Sequence, residues 1–186
     1  MGSFDTDQFI ADCISTLHEA DPIDGLLEVV GRAISVPADL NSWFTVPIDQ
    51  GDDGILLRRR DLLISSALFP SGFSTGIHNH TVPAVIGVWT GAEDNYFYQR
   101  TPTGIAPLPS RRIEAGQVLA LDRETIHDVH VSTRSWSGAL HVYLGDILEA
   151  DRSEWSDQNG PESPFDGEQQ ERRWSDAARR TGLLAT

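Results

Sequence analysis

Apolar residues near the start of the chain recur every three or four positions, whereas from Trp43 onward they gather into short runs broken by Gly, Pro, Asp and Ser. The first pattern predicts helices. Phe9, Ile10, Cys13, Ile14 and Leu17 form one stripe over residues 5 to 19, and a second helix runs from Pro22 through Leu26, Leu27, Val29 and Val30 to about Ser35, where Pro37 closes it. The second pattern predicts about nine short strands of an all-β sandwich or barrel, of the jelly-roll kind. The strands are Ile55 to Arg58, Leu62 to Phe69, Gly76 to His80, Ala84 to Thr90, Asn95 to Arg100, Arg111 to Glu114, Gln117 to Leu121, His127 to Ser132 and Ala139 to Leu144. Pro70-Ser71-Gly72, Thr101 to Pro109 and Thr133 to Gly138 supply turns. Beyond Gly145 the chain is acidic and turn-rich through Asp166, then helical from about Gly167 to Arg180. A single domain is expected, in which helices of residues 1–40 pack on a barrel of residues 41–150 and residues 151–186 wrap around it as a tail with a frayed end.

Charge and composition narrow the partners. A formal net charge of -14 opposes binding to nucleic-acid backbones or anionic membranes, and Arg58-Arg59-Arg60 is the longest basic run. The chain has no lysine, which excludes Schiff-base chemistry, pyridoxal-phosphate attachment and a Walker-type phosphate lysine. The single Cys13 permits no disulfide within the chain and lies on the apolar stripe of the first helix, so it reads as core rather than nucleophile, and a cytoplasmic location is the simplest expectation. No stretch is long and apolar enough for a membrane span, and no signal peptide is visible. Met1-Gly2-Ser3-Phe4-Asp5-Thr6 formally fits a myristoylation pattern, which arises easily by chance.

Candidate chemistry begins at His78-Asn79-His80. On a strand, alternate side chains share a face, so His-x-His aims two imidazoles at one centre and turns Asn79 away. Imidazole suits iron, zinc, copper or nickel; the bland alternative is a pair of solvated loop histidines. A third ligand comes from His127 or His130, which alternation puts on opposite faces of one strand, so that only one of them faces a metal. His141 and Tyr143 share a face with Ala139, and an unpartnered imidazole and phenol buried together are costly outside a polar cavity. The bland reading is a polar-tipped core pair. His18 reads as a surface residue, and Trp89 and Trp155 as packing residues or as the lining of a pocket for a larger apolar substrate.

Gly76-Ile77-His78-Asn79-His80 followed by Gly91, and Gly116-Gln117-Val118-Leu119-Ala120-Leu121 leading to His127, resemble the two motif halves of a cupin, which implies a double-stranded β-helix, the jelly-roll barrel. An ordinary cupin puts a glutamate four residues after its second histidine; here that residue is Ala84, as in the thiol dioxygenase branch. This resemblance implies one Fe(II) ion held by His78, His80 and His127. Ala139-Leu140-His141-Val142-Tyr143-Leu144-Gly145 is similar to the Ser-x-His-x-Tyr segment of that branch, which makes His141 and Tyr143 the catalytic pair. His-x-His-Thr-Val with Ile86-Gly87-Val88 and Gly91 resembles bacterial 3-mercaptopropionate dioxygenases in particular, whose substrate arginine corresponds to Arg152.

The likeness covers roughly residues 55 to 165 and has three departures. Ala139 replaces the serine, leaving Ser137 or a water to complete the hydroxyl relay. Val85 stands where some animal cysteine dioxygenases carry a crosslinking cysteine. The arginine for the carboxylate of cysteine has no unambiguous counterpart, although Arg58, Arg59 and Arg60 lie at about its place. The expected activity is oxidation of a small thiol by O2 to its sulfinate, with Tyr143 positioned by His141 and with Arg152, Arg58 or Arg60 pairing with a substrate carboxylate. The expected state is a monomer or small homo-oligomer. The alternatives are another metal-dependent cupin enzyme, whether a carbon-bond-cleaving dioxygenase or an isomerase, and a ligand-binding cupin without turnover.

Overall fold

The computed structural model describes residues 4–44 and 54–182, so the Met1-Gly2-Ser3 segment lies outside the described residues. Three helices come first: α1 (Thr6–Thr16), α2 (Pro22–Ala33) and α3 (Pro37–Phe44). Asp5 caps α1 by accepting the Gln8 N–H at 3.0 Å, and Asp21 caps α2 by accepting from Ile23 and Asp24. The sequence reading has Pro37 only ending the second helix. Pro37 instead opens α3, because a residue that cannot donate an N–H loses nothing in a first turn.

The strands are β1 (Ile55–Arg58), β2 (Leu63–Phe69), β3 (Ile77–Asn79), β4 (Ala84–Thr90), β5 (Ala92–Thr101), β6 (Gly104–Pro107), β7 (Arg111–Glu114), β8 (Val118–Leu121), β9 (Ile126–His130), β10 (Ser137–Tyr143), β11 (Ser153–Trp155) and β12 (Glu162–Pro164), followed by helix α4 (Gly167–Arg180). One sheet has the order β1-β2-β10-β4-β8 and the other β12-β11-β3-β9-β5-β6, with β7 also on β5. Every pairing is antiparallel. From β3 to β5, and again from β8 to β10, successive strands alternate between the two sheets. That is the winding of a jelly-roll barrel, and the fold is the mainly β barrel expected.

The five-stranded sheet is covered on both faces, which explains why Ala84-Val85-Ile86-Gly87-Val88-Trp89 is apolar throughout instead of alternating. Val85, Trp89, Leu140 and Val142 face outward and pack with Leu26, Val30, Ile34 and Leu40 of the helical layer. Ala84, Ile86, Val88 and Ala139 face inward and meet Leu119, Leu121 and Ile113 inside the barrel. Gly87 is the point where α2 comes down on the sheet: a Cβ there would stand 2.3 Å from Val30 Cγ1 and 3.0 Å from Ile34 Cγ2.

Three strands fall where turns or tail are expected from the sequence. β6 occupies part of the 101–109 turn segment, and β11 and β12 extend the second sheet from within the polar tail. β5 begins at Ala92, three residues before the expected Asn95. Trp89 and Trp155 are both packing residues, Trp89 under the helices and Trp155 in a cluster with Ile105 and Ile126 on the second sheet. Among the described residues no helix is long and apolar enough to cross a membrane.

Replacing Gly87 by valine forces α2 off the sheet, and overpacking of this kind costs about 1–3 kcal/mol. Urea unfolding of Gly87→Val is expected to show that loss; unchanged stability would mean that the α2–sheet contact is not close-packed.

Candidate metal centre

β3 and β9 pair in the register His78↔His127, so these two histidines sit directly opposite each other across the strands. His80 follows β3 by one residue and re-enters the same face. The chain turns immediately afterwards at Thr81, whose φ of 56° is a left-handed value that a β-branched residue rarely adopts. His78 Nε2 lies 3.2 Å from His80 Nε2, and His127 Nε2 lies 3.3 Å from His80 Nε2. These three form a group of metal-ligating atoms lying within 4.8 Å of one another, and all three residues are buried.

Their neighbours set the tautomers of two of them. Nδ1–H of His78 donates to the Gly76 carbonyl at 2.9 Å, and Nδ1–H of His127 donates to Asn95 Oδ1 at 3.0 Å. Each bond occupies the outer nitrogen and leaves the Nε2 lone pair pointing inward, as in metal-binding histidines. Burial lowers the His78 pKa to about 4, with Arg152 and Arg173 adding to the effect. His80 is held well below the ordinary range by burial and by His127 and His78, and His127 by burial and by His78 and His141. At neutral pH the cluster is therefore a set of neutral imidazoles. Lone pairs converging in a dry pocket repel one another unless a cation lies between them, so the donor set fits a borderline transition metal.

Two further parts of the chain hold this geometry. Asp128 accepts from Ser74 Oγ at 2.9 Å, Gly76 N at 3.1 Å and Thr75 Oγ1 at 3.3 Å, tying down the approach to His78. Arg173 of α4 donates to the Thr75 carbonyl at 2.9 Å, and Trp174 of the same helix donates through its indole to the Leu68 carbonyl. Asn79 points away from the histidines and accepts the Ser153 N–H at 2.7 Å, which joins β11 to the barrel. His130 is on the other side of β9, paired with Asp128 at 2.7 Å and lying against Tyr96, so it is not in the cluster.

His141 and Tyr143 come from β10 on the facing sheet. His141 Nδ1 and the Tyr143 hydroxyl are 2.9 Å apart, and the Tyr143 ring meets His80 edge-on at 5.4 Å between centroids. Burial lowers the His141 pKa to about 4 and keeps the Tyr143 phenol protonated by raising its pKa. His141 Nε2 and Asn95 Nδ2 are buried with no protein partner, two polar atoms aimed into the space beside the histidines.

Arg152 lines the same space, half-buried and stacked 3.8 Å over the Phe165 ring. Among the described residues no carboxylate lies within ion-pair distance of it, and burial lowers its pKa. Arg58 and Arg60 do not reach the site, contrary to the expectation from sequence. The hairpin between β1 and β2 projects into solvent; there Arg58 pairs with Asp146 at 2.8 Å and Glu149 at 2.9 Å, Arg59 pairs with Asp61, and Arg60 is exposed. Ser137 does not stand in for the missing serine either, since its hydroxyl donates to Glu93 at 3.0 Å. Val85 lies on the helix-facing side of its sheet, away from Tyr143.

Glu93 and Asn95 are the site residues that the sequence reading misses. Glu93 is only 1% exposed and lines the cavity with Asn95 and His127. Alternation along β5 puts Glu93, Asn95 and Phe97 on one face, a signal hidden by starting the strand at Asn95. Burial pushes the Glu93 carboxyl up to about 7, against which the Ser137 hydrogen bond acts weakly.

No family model matches the chain. Parts of it are similar to solved structures. A conserved protein of unknown function from Streptococcus pyogenes is 19% identical over 49% of this chain and 70% of that one, with a TM-score of 0.40. An oxalate oxidase in complex with the substrate analogue glycolate is 15% identical over 46% of this chain, with a TM-score of 0.41, and a DMSP lyase from Ruegeria pomeroyi is 18% identical over 50%, with a TM-score of 0.41. The match spans 43% of the length of each of these last two chains.

Two measurements test this centre. His127→Ala is expected to abolish stoichiometric binding of a divalent transition metal while His130→Ala retains it, read by metal analysis after dialysis; the reverse pattern would displace His127 from the ligand set. For Glu93, the unfolded chain ionises near the ordinary 4.5 while the folded chain holds its proton to about 7, so this group's contribution to stability is full below the first value and lost as pH rises through the second. The loss amounts to about 3 kcal/mol. Glu93→Gln keeps an acceptor for Ser137 and should flatten that decline in urea titrations; equal slopes in both proteins would place the carboxyl in a wetter setting.

Proposed function

We propose that the chain is a non-haem Fe(II) dioxygenase that oxidises a small thiol carrying a carboxylate to its sulfinate. The observation that carries this reading is a buried cluster of three neutral imidazoles, beside an arginine with no carboxylate in ion-pair distance among the described residues. Ala84, at the place of an ordinary cupin's glutamate ligand, is fully buried against Ile86 and Leu119 and supplies no charge. His78, His80 and His127 would hold a ferrous ion without a carboxylate to offset its charge, and the ion would supply the redox chemistry between a thiolate and dioxygen.

The chain's own residues then have distinct tasks. Arg152, already desolvated and stacked on Phe165, offers its guanidinium to the substrate carboxylate, which fixes the sulfur toward the histidines. His141 holds the Tyr143 hydroxyl at 2.9 Å, and Tyr143, protonated at neutral pH, donates to the substrate's polar atoms. Phe69 and Ile86 line the cavity and keep water out. The reaction balances without a reductant: the thiol loses its proton on binding, both oxygen atoms of O2 join sulfur, and sulfur is oxidised by four electrons as dioxygen is reduced.

One observation favours a second reading. A buried carboxyl with a pKa near neutrality, that of Glu93, lies in the same cavity and suits proton transfer, as in an isomerase with the metal acting as Lewis acid.

The two readings separate in one assay. The purified chain, loaded with ferrous iron, is expected to consume O2 with 3-mercaptopropionate or a similar carboxylated thiol and to release the sulfinate, identified by mass spectrometry. Arg152→Gln should raise KM about 10- to 100-fold, the loss expected for a charge-assisted pair. Stoichiometric iron with no oxygen uptake across a panel of small thiols would sink the dioxygenase reading.

A further inference from the structure

Beside the histidines only about 60 Å³ of space is free, enough for a few atoms of a substrate. That space adjoins a second cavity of about 470 Å³, and the two share Phe69, Tyr143, Arg152 and Gln170 as lining. The larger space lies within the range of small-molecule sites, and an apolar cavity of about 150 Å³ already holds a benzene ring. Its lining is mostly apolar: Phe73 and Ile147 are buried at 2% and 5% exposure, Phe165 and Trp174 are half-buried, and Leu148 stands at the mouth with 50% of its surface exposed. α4 forms one wall and is held on the barrel by the Arg173 and Trp174 hydrogen bonds, so the cavity is built into the fold.

We propose that this second cavity is a subsite for the body of the substrate, and that the preferred ligand is an organic acid with an aromatic or similarly bulky apolar group, a minimal thiol acid binding there more weakly. Arg152 lies on the boundary of both spaces and has no carboxylate partner among the described residues, so it takes the acid group. An apolar body then lies among Phe69, Phe73, Phe165 and Trp174, removed from water, while the reacting end reaches the histidines. Among the described residues Arg152 is the one charged side chain that lines both cavities, which favours an acid group at their junction, while Glu171 lines the outer cavity alone. The inference deepens the thiol dioxygenase reading by naming its substrate class. Its binding step needs neither iron nor oxygen.

Calorimetric titration of the full chain with 3-phenylpropanoate and with propanoate separates the subsite from the reaction. The aryl acid is expected to bind at least tenfold more tightly than propanoate. Arg152→Gln should weaken it at least tenfold. Leu148→Asp, at an exposed position where folding is not at stake, should remove most of the aryl preference and leave propanoate nearly unchanged; Trp174→Ala should act in the same direction, with circular dichroism confirming the fold. Equal affinity for the two acids, binding of neither, or an aryl preference that survives both Leu148→Asp and Trp174→Ala would overturn the subsite. Preferential binding of 3-phenylpropanoate without oxygen uptake on any thiol would remove the dioxygenase reading alone. Turnover of 3-mercaptopropionate with no aryl preference would remove only the subsite.

Discussion

Pairing between β3 and β9 in one register sets His78 against His127, and the chemistry of the barrel depends on that match. Side chains alternate along a strand, so a slip by a single residue would bring Asn79 inward and turn both imidazoles out. Much of the surrounding structure holds this register in place. Asp128 gathers Ser74, Thr75 and Gly76 ahead of β3, Asn79 anchors Ser153 on its far side, and Thr81 bends the chain away once His80 has turned back in. The two-face burial of the opposite sheet serves the same end, since a wall clamped between helices and barrel interior presents Tyr143 and His141 at a constant distance.

Electrostatically the interior runs against the character of the chain as a whole. The molecule carries a formal charge of -14, and the arginines of its surface mostly pair with acids. Inside, the histidines of the cluster are neutral, Arg152 has no carboxylate in ion-pair distance among the described residues, and burial raises the carboxyl of Glu93 to about 7. On the proposed reading such a pocket would favour an anion locally, against the net charge of the whole protein. Selection among anions would then fall on shape, on contact with Phe165 and on the reach from Arg152 to the histidine cluster.

Periodicity carried most of the architecture to the surface of the sequence. The first two helices, α4 and the central strands are legible because each buries a regular stripe or run. Local pattern failed where pairing is decided from elsewhere: β6, β11 and β12 are short and stabilised by neighbouring strands, and β11 and β12 are polar as well. The histidine cluster was legible because His-x-His spacing has a geometric meaning on a strand. Arg58 and Arg60 were misplaced because proximity in a motif says nothing about which way a hairpin points, and acids at 146 and 149 lie where only the fold brings them. Glu93 went unseen because one carboxylate at the start of a strand resembles any solvated acid until both sheets close over it.

α4 divides the site in time as well as in space. During synthesis the three histidines have all been made by residue 127 and the β10 pair by residue 143, whereas Trp174, which walls the apolar cavity, follows some thirty residues later. One wall of the outer cavity is thus made after the histidines, although Phe69 and Phe73 of the same cavity precede them. On the proposed reading, substitution of Trp174 would change the apolar wall, whereas substitution of Arg173 in the same helix would also loosen the Thr75 segment that leads to His78.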